Sequence, residues 1–285
     1  MQIAIASGKG GTGKTTVAIN LAWIAAHQGR SVAYLDCDVE EPNGHLFLRP
    51  EITDRQAVVE RIPQVDLQKC TRCGRCGKIC QYSAIVSIGK TVLVYPDLCH
   101  SCGGCRLVCP TGAITEIPLE IGSLERGTAG AIQFVQGSLK IGKARAVPVI
   151  QAVKSVSPQV DLVIRDAPPG TSCPVVESVR GADYVVLVTE PTPFGLHDLR
   201  LAVEVMHALK LPCGVVVNRA GSPANEVRWF CGARQIPILA EIPDDRRLAE
   251  AYAQGSMICE ALPEYETVFA GLLDAIARQA RTVAA

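Results

Sequence analysis

Residues Gly8–Thr15 read G-K-G-G-T-G-K-T, and no other segment restricts the fold of this 285-residue chain so tightly. Directly before it, Gln2–Ala6 is a short apolar run with strand character; after it, Thr15–Gln28 shows helical periodicity. Strand, glycine loop and helix in that order make a phosphate cradle. Glycines let backbone N–H groups curl around an anion, and the helix N-terminus adds its partial positive charge. In such a loop Lys14 reaches the β- and γ-phosphate oxygens and the Thr15 hydroxyl ligates Mg²⁺. Gly8, Lys9, Gly10, Gly11, Thr12, Gly13, Lys14, Thr15 and Thr16 are therefore the expected nucleotide contacts, with ATP or ADP and Mg²⁺ as ligands.

The second feature is a block of cysteines. Cys70, Cys73, Cys76 and Cys80 follow C-x₂-C-x₂-C-x₃-C, and Cys99, Cys102, Cys105 and Cys109 repeat the pattern 29 residues later. Gly74/Gly103, Ala84/Ala113, Ile85/Ile114 and Ile88/Ile117 keep the same offset, so the block is an internal duplication. The run resembles that of bacterial ferredoxins, in which three cysteines hold one [4Fe–4S] cluster and the fourth ligates the other. The resemblance implies one cluster on Cys70, Cys73, Cys76 and Cys109, and a second on Cys80, Cys99, Cys102 and Cys105. The second run ends in Cys109-Pro110, whereas Gln81 stands where the first run would carry proline. That proline shapes the chain without binding iron, so two clusters are still expected. Structural zinc sites use two separated C-x₂-C pairs, which is a poorer match.

Composition sets outer limits. Hydrophobic residues make up 48% of the chain, enough for a large core, and this length suits one large domain plus a small one. The 28 basic and 28 acidic residues cancel, which removes a global drive towards nucleic acid or anionic membrane. The first residues carry no charged leader, and no apolar run reaches the roughly 18 residues that cross a bilayer. Thiolate ligands need a reducing compartment, so the expected location is cytoplasmic, with no nucleic-acid or membrane partner. Charge is uneven within the chain, however. Between Pro63 and Pro118, six cations (Lys69, Arg72, Arg75, Lys78, Lys90, Arg106) face three acids (Asp66, Asp97, Glu116). This is either a solvated basic face or a surface that steers an acidic redox partner protein.

The loop K-G-G-T-G-K-T, with Lys9 directly after its first glycine, resembles the deviant Walker A motif of the MinD/ParA/Mrp ATPases and of nitrogenase reductase. The resemblance implies an ATP-dependent homodimer, or a heterodimer with a related ATPase, in which Lys9 touches the other subunit's nucleotide and Lys14 its own. Further segments match the family in order. Asp36-Cys37-Asp38 after Val32–Leu35 looks like switch I, implying that Asp38 orients the attacking water and that Asp36 supports the magnesium shell. Asp161–Asp166, running into Ala-Pro-Pro-Gly, looks like Walker B and switch II, implying that Asp166 holds Mg²⁺ through water. Val215–Arg219 looks like the strand whose Asn218 and Arg219 read adenine. Ile242–Asp245 resembles the loop that closes over the base, with Pro243 and Asp245 as contacts.

Apolar runs at Tyr184–Val188 and Ile236–Ala240 alternate with helical stretches near Gly195–Leu209, Asp244–Ala253 and Glu264–Arg278. The expected fold class is α/β, a mostly parallel sheet covered by helices on both faces, with a small inserted ferredoxin-type α+β domain. Residues 1–62 and 119–285 would form the P-loop ATPase domain and 63–118 the insert. Such a chain resembles the MinD-superfamily ATPases with an inserted ferredoxin domain.

Five cysteines lie outside the block: Cys37, Cys173, Cys213, Cys231 and Cys259. Cys173 lies seven residues beyond Asp166, the offset at which nitrogenase reductase carries a ligand of its intersubunit cluster. That relative supplies a second cysteine from before Walker B, and here none lies between Leu119 and Asp166. A switch or packing role for Cys173 fits better. Three functions are then in play. The first is an ATPase, slow without a partner, that couples its switch to electron transfer through two clusters. The second is an iron–sulfur carrier of the Mrp type, although no C-x-x-C pair stands outside the block. The third is a spatial-positioning ATPase, for which Leu272–Ala285 has few cations and aromatics to anchor on.

Overall fold

The computed structural model describes residues 1–156, 158–221 and 225–284. The chain begins β1 (Gln2–Ala6), α1 (Lys14–His27), β2 (Val32–Asp36), α2 (Gly44–Leu48) and β3 (Glu51–Val65). The cysteine block follows as α3 (Arg75–Ile79), β4 (Ile85–Ile88), β5 (Thr91–Val94) and α4 (Gly104–Leu107), leading into β6 (Ile114–Ala129) and β7 (Ile132–Leu139). Then come α5 (Val147–Ser155), β8 (Leu162–Asp166), α6 (Cys173–Val179), β9 (Tyr184–Thr189), α7 (Pro193–Ala208) and β10 (Cys213–Ala220). The remainder is α8 (Asn225–Ala233), β11 (Ile238–Pro243), α9 (Arg246–Ala253), α10 (Ile258–Ala261) and α11 (Glu266–Ala284).

One nine-stranded sheet, ordered β11-β10-β9-β1-β8-β2-β7-β6-β3, organises the molecule. The seven strands from β11 to β7 are mutually parallel; β6 and β3 run antiparallel at one edge. β1, β2, β8 and β9 are buried along nearly their whole length. Their near-continuous apolar sequence is what parallel strands covered on both faces require. Helices α1 and α11 cover one face, with Val17, Leu21, Phe269 and Leu272 packed on Ile3, Ile5 and Tyr34. The other face is covered by α6, α7 and α8 (Val175, Leu199, Phe230) and, towards β7, by α5 (Val149, Ile150). Among the described residues no helix is long and apolar enough to cross a membrane.

The mostly parallel sheet expected from the sequence is present, but a third of it was not anticipated. β3 and β6 lie in segments where charged residues and the prolines Pro63 and Pro118 break the apolar pattern, and in β7 Gln133, Gln136 and Gly137 interrupt it. Edge strands tolerate both, because one side of the ladder needs no partner. The expected limits at 62/63 and 118/119 therefore fall inside paired strands, where Arg61 opposes Pro118 and Pro63 opposes Glu116. The strand expected at Ile236–Ala240 lies two to three residues later, at Ile238–Pro243.

The insert has twofold internal symmetry in its backbone. β4 and β5 pair Ile85 with Val94 and Ile88 with Thr91. The distal ends of β3 and β6 pair Val65 with Ile114 and Ile62 with Ile117, the same register displaced by the 29-residue repeat. Tyr95 N–H donates to Ala84 O at 2.7 Å and Asp66 N–H to Ala113 O at 2.8 Å, so each half hydrogen-bonds the other reciprocally. Residues 62–65 and 114–117 thus belong to the long ribbon and to the insert together.

Candidate functional site

β1 ends between β8 and β9, so its loop opens into the crevice at the C-terminal ends of the parallel strands. Gly13 has φ +91°, and a β-carbon there would stand 2.2 Å from Asn218 Nδ2. Glycine lets Asn218, from β10, donate to the Thr12 carbonyl at 2.8 Å. α1 begins at the next residue, its first N–H groups directed at the loop.

Lys14 is buried, with Nζ 2.9 Å from Asp166 Oδ1 and 3.3 Å from Asp38 Oδ2. Burial lowers its pKa, but Asp166, Asp38 and Asp36 outweigh that and raise it, so the ammonium stays charged. The wholly buried Tyr34 donates its hydroxyl to Asp166 Oδ2 at 3.0 Å, occupying the second carboxylate oxygen. Asp36 lies beneath, accepting the Asp38 N–H at 3.1 Å and the Gly44 N–H at 3.0 Å. Burial and the Asp166 carboxylate push Asp36 up to about 8; burial likewise raises Asp38. Asp36, Asp38 and Asp166 thus present carboxyl oxygens, the donor type that a hard cation such as Mg²⁺ takes, with the Lys14 ammonium resting on two of them. Among the described residues no group of three His, Cys, Asp or Glu side chains is arranged to hold a metal ion by itself.

The Asp36 shift has a measurable sign. Its folded pKa lies above the unfolded value of 3.8, so its stabilising effect is complete below that value and is lost as pH rises through about 8. Nucleotide-free protein should lose up to about 1.4 kcal/mol per pH unit from this group across that window. Urea unfolding of Asp36→Asn should show a shallower decline between about pH 5 and pH 8 than wild type; parallel slopes would remove Asp36 as the source.

A cavity of about 370 Å³ opens above this network, large enough for a small-molecule ligand. Of the expected nucleotide contacts, Gly10, Gly11, Gly13, Lys14, Thr15, Thr16, Asn218, Arg219, Pro243 and Asp245 line it, with Asp38. Asn43 lines the cavity as well, and its buried side-chain oxygen has no hydrogen-bond partner; nor has the buried Thr12 hydroxyl in the loop. Leu248, Ala249, Tyr252 and Ile258 add an apolar wall that was not foreseen, since their spacing reads as ordinary helix packing. Asp245 caps α9 through the Arg247 N–H at 2.9 Å, and Tyr265 donates to its other oxygen at 2.8 Å. Arg247 and these donors hold its carboxyl well below the usual range.

Lys9 lies 3.2 Å from Glu190, and Arg219 lies 2.5 Å from the other oxygen of the same carboxylate. Sequence reasoning missed Glu190. Its signal was an acid placed directly after β9, five apolar residues and Thr189, where a central strand delivers side chains to the crevice.

In the insert two cavities gather the eight block cysteines in crossed sets. One is lined by Cys70, Cys73, Cys76 and Cys109, the other by Cys80, Cys99, Cys102 and Cys105. All thirteen cysteines are free thiols. Symmetric backbone donors approach sulfur: Arg72 N–H to Cys70 and Ser101 N–H to Cys99, both at 3.4 Å. At Cys80 and Cys109 desolvation opposes ionisation, but several backbone N–H donors outweigh it and lower the pKa. The apolar clusters here are very small, Cys76 with Ile85, Val92 and Ile114, and Cys99 with Ile62 and Ala84. The eight sulfurs in two sets of four are a donor set of the kind thiolate-bound clusters take. Cys173 opens α6 and is exposed, whereas Cys37 just after β2, Cys231 in α8 and Cys259 in α10 are buried.

A strap joins the two regions. Leu139 N–H, at the end of β7, bonds to Val39 O beside Asp38 at 2.7 Å. Just beyond, Lys143 contacts Asp97 of the insert at 2.6 Å, and Arg145 pairs with Glu60 of β3.

A glycine loop after the central strand of a parallel sheet, with carboxylates at the neighbouring strand ends, defines a P-loop nucleotide-binding protein. The family model described as CobQ/CobB/MinD/ParA nucleotide binding domain matches residues 3–258, and the chain belongs to that family. It is a P-loop ATPase of the MinD/ParA type. An uncharacterized protein of Methanocaldococcus jannaschii is 30% identical over 266 residues, covering 92% of this chain and 91% of its own. An iron–sulfur cluster carrier protein of Aquifex aeolicus is 26% identical over 285 residues, 95% of this chain and 65% of the relative. The fold is similar to septum site-determining MinD complexed with Mg-ADP from Pyrococcus horikoshii. That match has a TM-score of 0.59 and 20% identity over 96% of this chain and 94% of that one.

Proposed function

We propose that this chain is an ATP-hydrolysing iron–sulfur protein that couples nucleotide-driven dimerisation and switching to electron transfer through two [4Fe–4S] clusters. What supports this above all is the pair of cavities, each lined by three cysteines of one run and the fourth of the other. In this reading 1–62 and 119–285 form the ATPase and 63–118 a ferredoxin-type insert. The clusters, when bound, supply one-electron storage.

The chain's own residues supply the switch. Without nucleotide, Lys14 rests on Asp38 and Asp166. Entry of the β- and γ-phosphates draws Lys14 away and frees both carboxylates. Asp38 then orients the attacking water, while Thr15 and Asp166, with Asp36 behind, hold Mg²⁺. Lys9 exchanges Glu190 for the nucleotide of a second copy, or of a related ATPase subunit, across a dimer face. Asn218, Arg219, Pro243 and Asp245 border the base. Movement of the Asp38 segment passes through Val39 and Leu139 to Lys143 and Arg145, and so to the insert.

The test is the midpoint potential of each cluster in anaerobically reconstituted protein, with ADP and with a non-hydrolysable ATP analogue. Linkage requires that a tenfold difference in nucleotide affinity between redox states move a one-electron potential by about 59 mV. The expected result is a shift of that order, erased by Lys143→Gln with Arg145→Gln while ATP hydrolysis persists. A second reading, an iron–sulfur carrier, draws support from the Aquifex relative. Equal potentials in both nucleotide states, together with cluster transfer to an apo-protein, would favour that reading.

A further inference from the structure

We propose that the face of the insert formed by Arg75, Lys78, Ile79 and Leu107 is the docking surface for a small acidic one-electron carrier protein. This rests on the redox reading above and gives it a place on the molecule. A shallow groove runs between α3 and α4, bounded by these four residues and floored by Cys109. Leu107, one of these bounding residues, is 84% exposed.

Charge identifies the occupant. All three acids of the insert are already paired: Asp66 with Lys69 at 3.4 Å, Asp97 with Lys143 at 2.6 Å and Glu116 with Arg106 at 3.0 Å. Among the described residues Arg72, Arg75, Lys78 and Lys90 have no carboxylate within 4.0 Å, and the first three lie on α3 and the loop before it. Of these cations Arg75 and Lys78 line the groove itself, so its charged side chains are positive, while the charge of bound clusters would lie behind them at the cysteines. An apolar centre with a charged rim is the anatomy of a protein interface, and the positive rim selects an acidic partner. Single-stranded nucleic acid would call for aromatic platforms, and no aromatic residue borders this groove.

Position fits electron entry or exit. Cys109 forms the floor, and Ile79 immediately precedes Cys80. These are the two cysteines that cross between the cavities; Cys109 lines the groove itself, and Ile79 borders both the groove and the cavity that holds Cys80. One electron leaves the carrier, which is oxidised, and enters the insert, which is reduced; no bond forms or breaks.

The probe is flavodoxin, an acidic flavin carrier, with the full reconstituted chain. Binding of oxidised flavodoxin is measured by calorimetry at low and high salt, and electron delivery from its hydroquinone by stopped flow. Arg75→Glu with Lys78→Glu, and separately Leu107→Ser, should weaken binding and slow delivery at least tenfold. Iron content, reduction by dithionite and ATP hydrolysis should stay at wild-type level. Flavodoxin that binds wild type and the charge-reversed protein alike, or neither, overturns the docking surface while dithionite reduction leaves the redox reading standing. Tighter capture of oligo-dT at these residues also overturns it. Protein that takes up no reducible iron removes the redox reading and this surface with it.

Discussion

Replacing Lys14 by methionine is expected to cut ATP hydrolysis at least about a thousandfold, because the group that meets the charge developing on the phosphates is gone. The same change should lower the stability of the nucleotide-free chain by about 3 to 5 kcal/mol, the usual result of breaking a buried ion pair from one side. Lys14 is the cation at hydrogen-bond distance from both Asp38 and Asp166, and Asp166 has no exposed surface. Methionine fills the space and leaves those carboxylates facing each other. Asp38, whose pKa burial already raises, answers by taking a proton, so the deficit should shrink as pH falls and widen as it rises. Urea unfolding across pH, beside a phosphate-release assay, reads both effects. A variant that loses hydrolysis with unchanged stability at neutral pH would show that the ammonium does not neutralise this network in solution.

The second large effect concerns the cysteines. Removal of Cys80 should empty the site formed by Cys99, Cys102 and Cys105, not the site formed by the three cysteines that precede it in sequence. Paired substitutions make this decisive. Cys80→Ala with Cys99→Ala strikes one site twice, so about four of about eight irons should remain. Cys80→Ala with Cys73→Ala strikes both sites, and nearly all iron should be lost. Iron analysis and electron paramagnetic resonance of anaerobically reconstituted protein separate the outcomes. If the two pairs behave in the opposite way, each run holds its own cluster and the crossed arrangement fails. Because the apolar clusters of the insert are so small, far-ultraviolet circular dichroism on these variants should also show local loss of structure.

Much of the molecule was legible before any coordinates. The glycine loop specifies its own backbone, since positive φ and close approach admit no side chain at Gly13. Buried parallel strands announce themselves as unbroken apolar runs, which is why β1, β2, β8, β9 and β10 were found. β3 and β6 were not, because an edge ribbon half open to water has a mixed pattern that period and propensity do not resolve, and in the largely buried β7 Gln133, Gln136 and Gly137 interrupt the apolar run. Glu190 and Tyr34 escaped for another reason. Each acts through a partner far along the chain, Lys9 and Asp166 respectively, and no local spacing encodes such contacts.

The amino-acid order alone determined what is local or repetitive: the phosphate-cradle loop, the alternation of strand and helix, and two cysteine runs at a fixed offset. Tertiary structure decided what depends on closure in space. It brought Lys14 onto two carboxylates from different strands, gathered the cysteines into crossed sets, and tied the segment after β7 to the insert. The physical reason is common to all three. Burial and ion pairing act over a few ångströms, and only the packed sheet and the folded insert bring residues dozens to more than a hundred positions apart within that range.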